Sequence, residues 1–110
     1  MTHTMQLAAA DGFELPVYVA QPAQKPHAAV VVLQEIFGVN SHIRAVADGF
    51  AQQGYLALAP ALFHRVRGGV ELGYTAADVD QGRQLKAAAE ALPAPGVLAD
   101  VAAAIAHGAV

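Results

Sequence analysis

Glu35 directly follows an uninterrupted apolar run, Ala28-Ala29-Val30-Val31-Val32-Leu33 and Gln34. A carboxylate can give or take a proton beside a reacting group. Placed at the end of a buried strand it is costly unless paired or hydrogen-bonded, for instance to its own loop or to Ser41. Ser41 is the only serine and stands where a helix starts, so a capping role competes with any role as a nucleophile. The five histidines (His3, His27, His42, His64, His107) lack metal-ligand spacing. His64 lies in a loop next to the expected site, and His107 near a helix end suits the terminal carbonyls. With no cysteine, these 110 residues offer no thiol nucleophile, zinc ribbon, iron–sulfur site or disulfide.

The elements that must position these groups follow from periodicity. Met5 and Leu7, then Phe13, Leu15, Val17 and Val19, alternate with polar neighbours on either side of Asp11-Gly12, which predicts a β-hairpin with a two-residue type I′ turn. Pro16 cannot donate to a ladder and predicts a position near a sheet edge. The run at 28–34 lacks alternation, as in a strand covered on both faces. Ile43, Val46, Ala47 and Phe50 give helical period over 41–53, with Asn40 or Ser41 as cap and Gly54 as terminator. A short strand at 55–59 stops at Pro60, completing a βαβ unit. After an irregular stretch at 60–74, Thr75-x-x-Asp78 opens a helix reaching Leu92. Pro93-Ala94-Pro95-Gly96 breaks the chain, and Val97, Leu98, Val101, Ala102 and Ile105 mark a last helix ending at Gly108.

Apolar residues make up 55% and charged residues 14%, which excludes a disordered chain. No apolar run approaches the length of a membrane helix, and no signal segment opens the chain, so no membrane is expected and the expected compartment is the cytoplasm. A net charge of −3 with scattered basic residues argues against nucleic acid. No glycine-rich loop joins a strand to a helix, so no dinucleotide or P-loop site is expected. The last helix should return the chain for another parallel strand, beginning at Val110. The expectation is therefore a chain that is part of something larger, with the edge of strand 28–34 left open for self-association or a partner strand.

The string Gln34-Glu35-Ile36-Phe37-Gly38-Val39-Asn40, followed by the Ile43-Arg44 helix, Gln53-Gly54-Tyr55 and Ala59-Pro60, resembles the dienelactone hydrolase family of α/β-hydrolases. Matching features run from Asp11-Gly12 to the last helix; Ala61 departs from the aspartate that many members carry after the proline. The resemblance implies the N-terminal half of an α/β-hydrolase fold, a β-hairpin then parallel βαβ with flanking helices. Residues 1–110 would form a single, incomplete domain ending just before the nucleophile strand. It implies hydrolysis of an ester or lactone of a small carboxylate-bearing molecule through a Cys-His-Asp triad, without cofactor or metal. In that scheme Glu35 helps activate the thiol, the Ile36 backbone N–H forms half of the oxyanion hole, and Phe37 lines the pocket. An arginine from the 75–92 region binds the substrate carboxylate; Arg83 lies in that segment. A regular helix places Arg83 almost opposite Leu85, Ala89 and Leu92, which would leave it solvated, and Arg65 and Arg67 are alternative cations. The Gly-x-Cys-x-Gly elbow and the later aspartate and histidine do not occur in these residues, so this chain alone is expected to be inactive. The competing readings are a small α/β ligand-binding module and a sheet-edge interaction protein without catalysis.

Overall fold

The computed structural model describes residues 2–109. Strands β1 (Thr2–Ala8) and β2 (Glu14–Ala20) form the expected antiparallel hairpin. The connection differs from a type I′ turn. Gly12 alone has a positive φ (87°), its N–H bonds to the Ala9 carbonyl (2.9 Å), and the Ala9 N–H bonds to Phe13 (2.8 Å). This is a three-residue loop with glycine at the left-handed position, which frees Asp11 from a conformation that side chains resist.

Strands β3 (Ala29–Val31) and β4 (Leu56–Pro60) pair in parallel, and β2 pairs antiparallel with β4, giving the sheet order β1-β2-β4-β3. Pro16 therefore sits in an interior strand rather than at an edge. Its carbonyl accepts from Ala61 (3.0 Å), so its missing donor faces the side on which the β4 ladder ends, and only one terminal bond is forgone. Beside β2, the other interior strand is β4, whose residues Ala57–Pro60 are buried, while β3 is a short outer strand. The apolar run at 28–34 stays in the ladder only through Val32, whose N–H bonds to Leu58 (2.8 Å), and then leaves the sheet with Leu33 exposed. The strand expected at Val110 lies outside the described residues.

Helix α1 (Ser41–Gln52) covers one face, with Ile43 and Ala47 against Ala20, Ala57 and Ala59. Asn40 caps it, its side-chain oxygen accepting from the Ile43 N–H at 3.1 Å, and Gly54 (φ 96°) turns the chain out. Helix α2 (Ala76–Glu90) carries the full Thr75–Asp78 capping box and packs Leu85 and Ala89 on Phe63. Helix α3 (Gly96–Gly108) covers the opposite face, where Leu15, Val17, Val19 and Leu58 lie. Its buried side is not the predicted apolar stripe. Ala99, Asp100 and Ala104 face inward, whereas Leu98 (76% exposed) and Ile105 (56%) face outward. Small residues win the inner face because the helix lies close to the sheet: a Cβ on Gly108 would come within 2.8 Å of Ala29 and 3.0 Å of Leu58.

Asp100 is fully buried and is not left alone. Arg65 forks onto it with Nε and Nη2, both at 2.9 Å, and grips Asp11 of the hairpin loop at 2.7 and 2.9 Å while lying 4.4 Å from the centre of the Phe13 ring. One guanidinium thus ties the hairpin, the 60–74 segment and α3 together.

Candidate active site

The loops that leave β3 and β4 emerge at the same, carboxyl end of the parallel pair, the place where open α/β sheets bind ligands. They enclose a cavity of about 460 Å³. Gln34, Glu35, Ile36 and Phe37 contribute from the first loop, and Leu62 and Phe63 from the second. Lys86, Ala89 and Glu90 of α2 and Val97 of α3 complete it. The walls are mainly apolar, with three charged groups among them.

Residues 35–38 form a turn, with the Gly38 N–H bonded to the Glu35 carbonyl at 3.2 Å. Gly38 has φ 81° and lies so close to the Val70 carbonyl that a Cβ would overlap it. The Phe37 carbonyl accepts from the Leu72 N–H (2.9 Å), and the Phe37 ring meets Tyr74 edge-on at 4.6 Å. On the other side, α2 presses the bare Cα of Gly82 against the Ile36 carbonyl, where a Cβ would again overlap. The 70–72 strip and α2 therefore grip this turn from two sides.

The residues singled out from the sequence separate into two groups. Glu35, Ile36 and Phe37 come together at the cavity. Glu35 is exposed, and its carboxylate has no hydrogen bond among the described residues, so the pairing expected for a buried acid, with its loop or with Ser41, is absent. Its position at the mouth of the cavity supplies the solvation that pairing would have replaced. The Ile36 N–H, like that of Phe37, donates to no group among the described residues. Arg83 is exposed and outside the cavity lining, as its place opposite Leu85 and Ala89 foretold. Arg65 is committed to its two aspartates, and Arg67 is held by the side-chain oxygen of Gln81. Ser41 is the first residue of α1 and leaves capping to Asn40. His64 packs against Phe13 with Nδ1 buried and unpartnered, beside a small void rather than the main cavity. His107 is exposed in the last turn of α3. Among the described residues no three metal-ligating side chains gather.

Sequence reasoning missed Lys86, the cation that does line the cavity. The signal was present: Lys86 adjoins Leu85 and lies three residues before Ala89, on the flank of the buried stripe. It also missed Gly82, whose unfavourable place inside a helix is itself a sign of close approach.

The dienelactone hydrolase family model matches residues 15–109. The chain belongs to the dienelactone hydrolase family. A Synechocystis sp. protein with the provisional name carboxymethylenebutenolidase is 44% identical over 91 residues, 82% of this chain and 36% of that protein. The carboxymethylenebutenolidase of Pseudomonas putida is 35% identical over 72 residues, 66% of this chain and 30% of that one. A crystal structure provisionally named as a dienelactone hydrolase of Klebsiella pneumoniae superposes with TM-score 0.67 at 31% identity, covering 98% of this chain and 45% of that chain. The chain thus has the α/β-hydrolase fold of a dienelactone hydrolase family member and spans about a third of the length of these curated relatives.

Proposed function

We propose that this chain forms one wall of an ester- or lactone-hydrolysing site, with the nucleophile supplied from outside these 110 residues. The observation that carries the reading is the unpartnered Ile36 N–H, held in a gripped turn beside an apolar cavity at the carboxyl end of the parallel strands. When a thiolate adds to the substrate carbonyl carbon, the carbonyl electron pair moves to oxygen. A rigid N–H already aimed at that oxygen stabilises the developing charge, by about 3 kcal/mol where such donors have been removed. Glu35 stands at the cavity mouth as the carboxylate that helps ionise the thiol. Phe37 supplies an apolar wall. Lys86, rather than Arg83, is the cation placed to receive a substrate carboxylate. The substrate is a small ester or lactone, and no nucleic acid takes part. Among the described residues no helix is long and apolar enough to cross a membrane, in keeping with a proposed cytoplasmic location.

Nitrophenyl-ester turnover tests this. The purified chain alone should be silent. Co-expressed with the remainder of a family member that carries Gly-x-Cys-x-Gly, it should support turnover. Glu35→Ala should then lower kcat by about 10²-fold. Turnover by the chain alone would count against the scheme, and so would a complemented enzyme indifferent to Glu35→Ala.

The outer edge of β3, with Leu33 exposed beside it, supports a second reading in which a further strand joins there, from another copy or a partner chain. Sedimentation showing only monomer at high concentration removes the self-association form of it.

A further inference from the structure

We propose that Gln34 is a positioning residue that sets the direction of the Ile36 N–H. The Glu35 carbonyl and the Ile36 N–H belong to one trans peptide plane and point in opposite directions, so whatever holds the carbonyl aims the N–H. Two donors hold it. The Gly38 N–H reaches it from within the turn at 3.2 Å, and the Gln34 side-chain nitrogen reaches it from outside, also at 3.2 Å. Both lone pairs of the oxygen are thereby engaged.

Gln34 is itself anchored. Its side-chain oxygen accepts from the Leu62 N–H at 2.8 Å, on the segment that leaves β4. The orientation of the carboxamide follows from its partners, since Leu62 can only donate and the Glu35 oxygen can only accept. One side chain therefore links the exits of β3 and β4 and passes their spacing to the 35–36 peptide. Neither the exposed Glu35 carboxylate nor any other side chain among the described residues holds that carbonyl. The next two peptides are fixed separately, by Gly82 against the Ile36 carbonyl and by Leu72 on the Phe37 carbonyl. Gln34 acts on the plane that carries the Ile36 N–H.

The consequence for turnover rests on the hydrolase reading, but the positioning itself can be read without it. The experiment measures ¹⁵N order parameters on this chain as wild type, Gln34→Glu and Gln34→Met. At neutral pH the glutamate still accepts from Leu62 but cannot donate to the Glu35 carbonyl. The Ile36 N–H should have an order parameter of about 0.85 in the wild type and fall toward about 0.6 in both variants. Leu62 should stay ordered in Gln34→Glu, which a purely structural loss would not produce. If Gln34→Met fails to fold, Gln34→Glu decides alone. An Ile36 order parameter unchanged from wild type overturns the proposal. In the complemented ester assay, Gln34→Glu should lower kcat about tenfold with KM unchanged, the signature of an interaction used only in the transition state. A loosened Ile36 with unchanged kcat supports the positioning and counts against the hydrolase reading, so the two failures are told apart.

Discussion

Arg65→Met should lower the stability of the chain by about 3 kcal/mol, on the order of a hundredfold in the folded-to-unfolded ratio. The size follows from Asp100, whose side chain is 1% exposed and takes two hydrogen bonds from Arg65. Removing the guanidinium leaves a buried carboxylate unpaired, which is far worse than losing a surface ion pair. Methionine keeps most of the packing on Phe13, so the loss isolates the charge. Adding Asp100→Leu should restore most of the stability, because a buried pair and an apolar pair of similar volume are nearly equivalent. Thermal unfolding reads this as a fall in Tm of roughly 10–20 °C for the single variant. A fall of a degree or two would mean that the cluster ties nothing together. Acid gives an independent check. The Arg65 hydrogen bonds hold Asp11 down to about 2. A depressed carboxylate contributes stability above its unfolded pKa, about 3.9, and that contribution is lost as pH falls from about 4 to about 2. The part of the acid-induced loss that belongs to Asp11 should disappear in Arg65→Met.

Gly38→Ala should be nearly as damaging, and its damage falls on the site. At φ 81° an alanine pays about 1–2 kcal/mol in backbone strain alone. Its Cβ would also overlap the Val70 carbonyl, so the turn and the 70–72 strip must part. Together these effects predict a loss of about 3 kcal/mol. Gly12→Ala is the control: its φ is 87°, but a Cβ there meets nothing within 4 Å, so only the backbone part should appear. Urea midpoints at constant m give both values. Faster amide exchange at Leu72, which donates to the Phe37 carbonyl, should accompany the Gly38 variant alone. Equal losses for the two glycines would show that the Val70 contact is unimportant.

Local signals carried the sequence reading furthest. The caps at Asn40 and Thr75–Asp78, the terminator Gly54 and the hairpin around Gly12 act within a few residues, so the chain displays them directly. The family string also put Glu35, Ile36 and Phe37 at the cavity. What stayed hidden depends on distant partners. The burial of Asp100 makes sense only with Arg65, 35 residues away. The apolar run at 28–34 suggested a central strand, but side-chain type cannot say which neighbours a strand finds, and β2 and β4 took the interior places. In α3 the large residues suggested the inner face, whereas the short distance to the sheet selected alanine and glycine. Lys86 was passed over because the resemblance calls for an arginine in this segment, and helix period does not say that the cavity reaches the flank of the buried stripe.

Nitrophenyl-ester turnover tests the assignment of Glu35 and Ile36 most directly. The chain alone should give none. Complemented by the remainder of a family enzyme with its cysteine elbow, it should turn over the ester, and Glu35→Ala should remove about 99% of kcat. Turnover by the uncomplemented chain, or full activity in the complemented Glu35→Ala variant, would contradict it.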